Sequence, residues 1–370
     1  MYSPITQALA SEIECRPGWK DAFTMAVMDA VQTAPMFMEK HKVKTLGDFL
    51  DHIDRMFKWI PDENSTATKV LQEVRVFYFI FAQESVRGYQ TPVHPSTTRG
   101  PLSWLSQWIV QYSVELGEYL STPESLTPES LDTFRKAGKY NLDDFIEPQG
   151  GWRTFNEFFA RRIKPELRPI SEPANPKIIT SPADSMFRGV WPVEDNGVVT
   201  FKGISWRIQD LLQDSSYRDD FNGGIFVHSI LLPSDYHRMH APVGGKVLES
   251  RIIRAQALLE VICEEGRPRS DPNKDEGYQW CQMRGLIVVD SPIGRVAIIP
   301  VGMGHISSVV LDVAEGEKVT KGQEIAHFQF GGSDIVLVFQ AASRMTITAE
   351  KNAKHPQAHY KVGEQIGVAR

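Results

Sequence analysis

The chain has 370 residues, 42% of them hydrophobic and 23% charged, with a formal net charge of −6. That length exceeds one compact domain and argues for two, while the acidic balance excludes the basic footprint of a nucleic-acid binder. Cys15, Cys263 and Cys281 are scattered, with no Cys-x-x-Cys pair, which excludes a disulfide framework or zinc ribbon and fits a reducing compartment.

The opening stretch "MYSPITQALASEIEC" has no basic start followed by an apolar core, so a signal peptide is not expected and a cytoplasmic location is. Residues 1–146 read as a helical region. Phe23, Ala26, Val27 and Val31 fall on one helical face. In "TLGDFLDHIDRMF" the apolar residues Leu46, Phe49, Leu50, Ile53, Met56 and Phe57 do the same. Thr45 with Asp48 three residues on predicts a capping box. "VRVFYFIFA", Val74–Ala82, is too short to span a bilayer and carries Arg75, so it predicts a buried helix and, at most, peripheral membrane contact. "LSWLSQWIVQYSVELGEYL" predicts another helix, with Trp104 and Trp108 on one side. Thr127 with Pro128 predicts an N-cap and first turn.

"EPQGG", Glu147–Gly151, is the expected linker. "WRTFNEFFARRIKP" predicts a short helix ended by Pro165. From there strands dominate: "GIFVHSILL", "GLIVVD", "RVAIIPVG" and "DIVLVF", with "DSPIG" as a hairpin turn. The small corners in "APVGGKVLES" and "VAEGEKVTKGQEIAHF" suggest a barrel-like β domain over residues 152–370. The fold class is α+β, with helices segregated at the front.

Three stretches concentrate reactive side chains. They are "SPADSMF" with Asp184, "LLPSDYHRMHAP" with Asp235, His237 and His240, and "FQFGGSDIVLVF" with Ser333. Alone, Asp184 reads as a turn or cap residue. The two histidines read as structural, or as a metal pair lacking a clear third ligand. Gly-Gly-Ser-Asp alone is ordinary turn chemistry. Together the three stretches hold the parts of an Asp-His-Ser relay. Ser333 precedes a strand, and no glycine follows two residues later, which argues against a hydrolase elbow. Attack by Ser333 Oγ on the open carbonyl of Gly332 is the alternative.

In order, "FNEFFARRIKPELRPI", "SPADS", "FKGISWRIQDLL", "LLPSDYHRMHAPVGGKV", "GRVAIIPVG", "VTKGQEIAHFQFGGS" and "YKVGEQIG" resemble the phosphatidylserine decarboxylase family. The N-terminal region outside this match looks like the helical extension of soluble, amino-acid-directed members. The resemblance implies self-cleavage between Gly332 and Ser333, giving chains 1–332 and 333–370 that stay associated, and a pyruvoyl group made from Ser333, with neither pyridoxal phosphate nor metal. It assigns the cleavage base to His240, oriented by Asp184, and the proton donor of decarboxylation to His237. The pyruvoyl ketone would then form a Schiff base with an amino acid and lead to loss of CO₂.

Departures from the family pattern fall where a substrate should lie. Trp206 replaces a usual tyrosine, "GMGHISS" with His305 replaces a Gly-Ala-Thr-Asn-Val-Gly-Ser stretch, and "CQMR" keeps Arg284 but not an asparagine. Trp206 and His305 are therefore expected in the pocket. Asp334, where small residues are usual, is expected to point outward or be neutralised by an arginine. The expected substrate is a small free L-amino acid, an aromatic, tryptophan-like one being favoured. The alternatives are phosphatidylserine itself and a non-enzymatic binding module that has lost processing. A homodimer is compatible with any of these.

Overall fold

Helices fill the first part of the chain because their starts are chemically marked and their apolar faces match. The computed structural model describes residues 2–270, 277–304, 309–350, 354–355 and 357–370. The longer helices there are Pro4–Cys15, Trp19–Thr33, Leu46–Arg55, Lys69–Phe81, Trp104–Tyr119 and Pro128–Lys136. At Thr45 the predicted capping box forms: Thr45 Oγ1 accepts from the Asp48 amide at 3.1 Å, and Asp48 Oδ2 accepts from the Thr45 amide at 2.9 Å. Thr127 and Ser130 form another, with Pro128 in the first turn. The apolar stretch from Val74 lies in Lys69–Phe81, where Val74 and every residue from Val76 to Phe81 are buried.

The helix predicted to reach Pro165 spans only Phe155–Phe159. Beyond it, Arg162 and Ile163 pair with Ile146 and Phe145 as a two-residue ladder, so the backbone turns from helix to strand.

The β part is built on an eight-stranded antiparallel sheet. Its order is Lys318–Val319, Gly245–Ile253, Arg284–Ser291, Gly294–Met303, Gly332–Phe339, Ile225–Leu231, Ser185–Pro192 and His359–Tyr360. The "DSPIG" hairpin forms as expected, with Ser291 Oγ donating to the Gly294 carbonyl at 2.6 Å. The barrel-like expectation needs correction, because the sheet is open. Its corner segments feed short strands to an edge, Lys318 and Val319 pairing with Lys246 and Gly245, and the two edge strands are not neighbours. The α+β class stands. Among the described residues no helix is long and apolar enough to cross a membrane.

Gly332–Phe339 lies between Gly294–Met303 and Ile225–Leu231 and is hydrogen-bonded on both sides. Alternation along it separates two cores. Ile335, Leu337 and Phe339 join a cluster that runs on into the N-terminal helices. Val336 and Val338 face a second cluster with Trp206, Phe226 and Trp280. Ser333 falls in step with the first set and Asp334 with the second.

Candidate active site

Ser333 starts the central strand, opposite Gly302 on one neighbour and Leu231 on the other. Just before it, Gly331 has φ 144°, a conformation a side chain would strain. The chain can therefore turn sharply into the sheet there. Ser333 is fully buried, and so is His237. Their side chains meet, with Ser333 Oγ 3.0 Å from His237 Nδ1. His237 Nε2 lies 3.3 Å from the Pro233 carbonyl. Donation from Nε2–H to that carbonyl leaves Nδ1 as the acceptor for the serine hydroxyl.

The ring of His237 stacks on Phe159 at a centroid distance of 4.0 Å. Burial, and next the nearby Arg161 guanidinium, push its pKa down to about 3. The imidazole is thus a neutral base at neutral pH. Arg161 is itself buried and donates from Nη2 to the carbonyls of Ser234 (3.0 Å) and Asp235 (3.3 Å). It pins the loop that carries His237. Its guanidinium lies 4.2 Å from the Phe145 ring centre.

The other predicted relay members lie elsewhere. His240 Nδ1 is 2.7 Å from the Gly322 carbonyl, and its Nε2 accepts from Tyr236 at 3.0 Å. Both ring nitrogens are thus occupied away from Ser333. Asp184 accepts from Arg168 Nε at 2.9 and 3.1 Å, from Arg168 Nη2, and from the Val362 amide at 2.8 Å. That carboxylate ties Arg168 to the C-terminal segment rather than orienting a histidine. Of the four relay candidates the structure brings Ser333 and His237 together, and it gives His240 and Asp184 other partners. Asp235 accepts from the Leu232 amide at 2.6 Å and from His359 Nε2 at 3.1 Å, which raises the His359 pKa.

Asp334 points inward, correcting the outward or arginine-paired expectation. It is fully buried, and its Oδ2 accepts from His228 Nε2 at 2.8 Å and from the Tyr278 hydroxyl. Burial, with Asp334 beside it, raises the Tyr278 pKa and keeps the phenol protonated as donor.

A cavity of about 190 Å³ reaches Gly331. Phe330, Leu231, Leu232, Met303 and Tyr278 line it from the β part, and Val70, Leu71, Val74 and Arg75 from the helix Lys69–Phe81. Trp206 does not line it, so its place in the pocket needs correction. Trp206 is the inward residue of Ile204–Arg207 and packs against Trp280 at 5.5 Å in the second core. A Cβ on Gly277, which has φ 106°, would come within 2.1 Å of its ring. His305 lies outside the described residues. Sequence reasoning missed Phe159, Arg161, Arg75, Tyr278 and His228. Arg161 sits in the quoted "FFARRIKP" stretch, but nothing in its spacing marks it as buried.

The phosphatidylserine decarboxylase family model matches residues 155–368. Phosphatidylserine decarboxylase proenzyme 3 of Schizosaccharomyces pombe is 31% identical over 268 residues, covering 69% of this chain and 26% of that protein. Phosphatidylserine decarboxylase proenzyme 2 of Oryza sativa subsp. japonica is 30% identical over 262 residues, covering 70% and 41%. This chain therefore spans less than half the length of either proenzyme. Decarboxylase iboD of Amanita muscaria is 31% identical over 295 residues, covering 70% of this chain and 82% of that protein.

Proposed function

Because the chain belongs to the phosphatidylserine decarboxylase family, we propose that it cuts itself between Gly332 and Ser333 and then removes the α-carboxylate of an L-amino acid. The observation that carries this reading is the buried Ser333 hydroxyl, 3.0 Å from His237 Nδ1 and two residues along the chain from Gly331, which lines a cavity of about 190 Å³.

His237 Nδ1 takes the Ser333 hydroxyl proton as Oγ attacks the Gly332 carbonyl carbon. The amide C–N bond breaks, an ester C–O bond forms, and the proton passes to the departing Ser333 nitrogen. An imidazole of such low proton affinity releases that proton readily. Loss of the Cα proton then expels Gly332 as a carboxylate and leaves dehydroalanine at position 333. One water converts this to a ketone and releases ammonia. The resulting pyruvoyl group fits the site, since position 333 is held by the sheet on both sides and follows Gly331, which lines the cavity, by two residues. When present, that group supplies the sink for the electron pair left as CO₂ departs. His237 Nδ1 is within reach of position 333 to hold the proton that the product carbon needs.

A small free substrate is supported by the cavity volume and by the helix Lys69–Phe81 along one of its walls. The aromatic preference loses its anchor with Trp206 in the other core. The names of two relatives support a phospholipid as the second reading, in which the serine head-group enters and the acyl chains stay outside. The unprocessed binding module loses its main argument, because Asp334 has hydrogen-bond partners on the face away from Ser333. Intact-mass analysis should find chains 1–332 and 333–370, the latter with a blocked terminus. CO₂ release should then be assayed with tryptophan, glutamate, serine and phosphatidylserine in micelles. A single uncut chain with no CO₂ release from any of these would falsify the proposal, and release from the phospholipid alone would favour the second reading.

A further inference from the structure

Part of the cavity wall comes from outside the family-matched region. The helix Lys69–Phe81 contributes Val70, Leu71, Val74 and Arg75. Among the described residues, two charged side chains line this mostly apolar space, Arg75 and Glu260. Glu260 is answered by Arg87 at 3.2 Å. Arg75 donates from Nε to Ser270 Oγ at 3.2 Å, and a hydroxyl leaves its charge unbalanced. Among the described residues no carboxylate forms an ion pair with it. Burial, with Arg269 nearby, pushes its pKa down to about 10, so it remains a cation at neutral pH. A guanidinium partly stripped of water in an apolar wall gains most from an incoming anion that offers two oxygens.

Resting on the decarboxylase reading, we infer that Arg75 is a specificity-determining residue that pairs with a second anionic group, a carboxylate or a phosphate, carried by the amino-acid substrate. The substrate's α-carboxylate is the wrong partner. It loses its charge as CO₂ forms, so a guanidinium bound to it would stabilise the ground state over the transition state and slow the step. Apolar walls suit the α-carboxylate, and the cation suits the far end of the molecule. Such a substrate can be free, or it can be the head-group of an amphiphile whose tails lie outside a cavity of about 190 Å³.

Calorimetry on the Ser333→Ala chain, which cannot process, separates this inference from the decarboxylase reading. The probes are L-serine, L-glutamate, O-phospho-L-serine and a short-chain phosphatidylserine below its micelle concentration. An anionic probe should bind roughly 10- to 100-fold tighter than L-serine, as a charge-assisted pair predicts. Arg75→Gln should remove that advantage and Arg75→Lys should keep part of it. The free acids against the short-chain lipid tell the two sources apart. Equal binding of charged and neutral probes overturns the inference. So does a loss on Arg75→Gln as large for L-serine as for the anions, since the cation would then serve the α-carboxylate. Cleavage of the wild-type chain, read by mass, reports separately on the decarboxylase reading. Anion discrimination in a chain that never cleaves would keep Arg75 as an anion-binding residue and sink the decarboxylase reading, and with it the role in substrate choice.

Discussion

At Ser333 two histidines three residues apart are candidates for one role, and their hydrogen-bond partners favour His237. His237 offers Nδ1 to the serine, while both nitrogens of His240 are engaged by Gly322 and Tyr236. Ser333→Ala should therefore remain one chain. His237→Ala should slow cleavage by about 10²- to 10⁴-fold, the usual worth of a positioned base, and His240→Ala should still cleave. A mass time course reads all three, and fast cleavage by His237→Ala would reject the assignment. The pH dependence is a sharper check. His237 is depressed to about 3, so the base is lost only as pH falls toward that value. Cleavage should be flat between about pH 5 and 8, where an ordinary imidazole would titrate. A rise centred near pH 6.5 would mean that the ring is solvated and the buried pair does not act. The spacing in "DYHRMH" could not show this, because the choice depends on where Pro233 and Gly322, far apart in the chain, bring their carbonyls.

Local elements were the legible part of the fold. The capping box at Thr45, the N-cap at Thr127, the "DSPIG" hairpin and the buried strand from Ile335 follow from chemistry within a few residues. Features set by long-range pairing were not legible. The helix at Phe155 stops early because Arg162 and Ile163 find strand partners in Phe145 and Ile146. Trp206 was read toward the pocket because sequence order cannot say which face of which sheet a four-residue strand covers. Its true neighbour gives a test. Gly277→Ala would put a methyl group 2.1 Å from the indole at φ 106°. That substitution should cost about 2 kcal/mol or more, combining backbone strain with overpacking. It would also displace Tyr278, the neighbour that donates to Asp334. A thermal melt within a degree of wild type would show that the ring moves aside freely.

Across the whole molecule, the proposed cut falls at the mouth of a central strand, not in an exposed loop. Residues 333–370 would keep the ladders of Gly332–Phe339 on both sides, His359–Tyr360 at the sheet edge, and Gln365–Val368 against Ile178–Thr180. The two pieces should therefore run as two bands on a denaturing gel and as one particle by native mass. Separation under native conditions would contradict the described pairing. Before the cut, folding is a first-order event within one chain; afterwards it is second order, an association governed by mass action. The unfolding midpoint of mature protein should fall on dilution, whereas that of Ser333→Ala should not. Because the serine has been consumed, a mature molecule that comes apart cannot repeat the event that made it. Its working life would then be set by how slowly the sheet opens, a kinetic quantity rather than an equilibrium one.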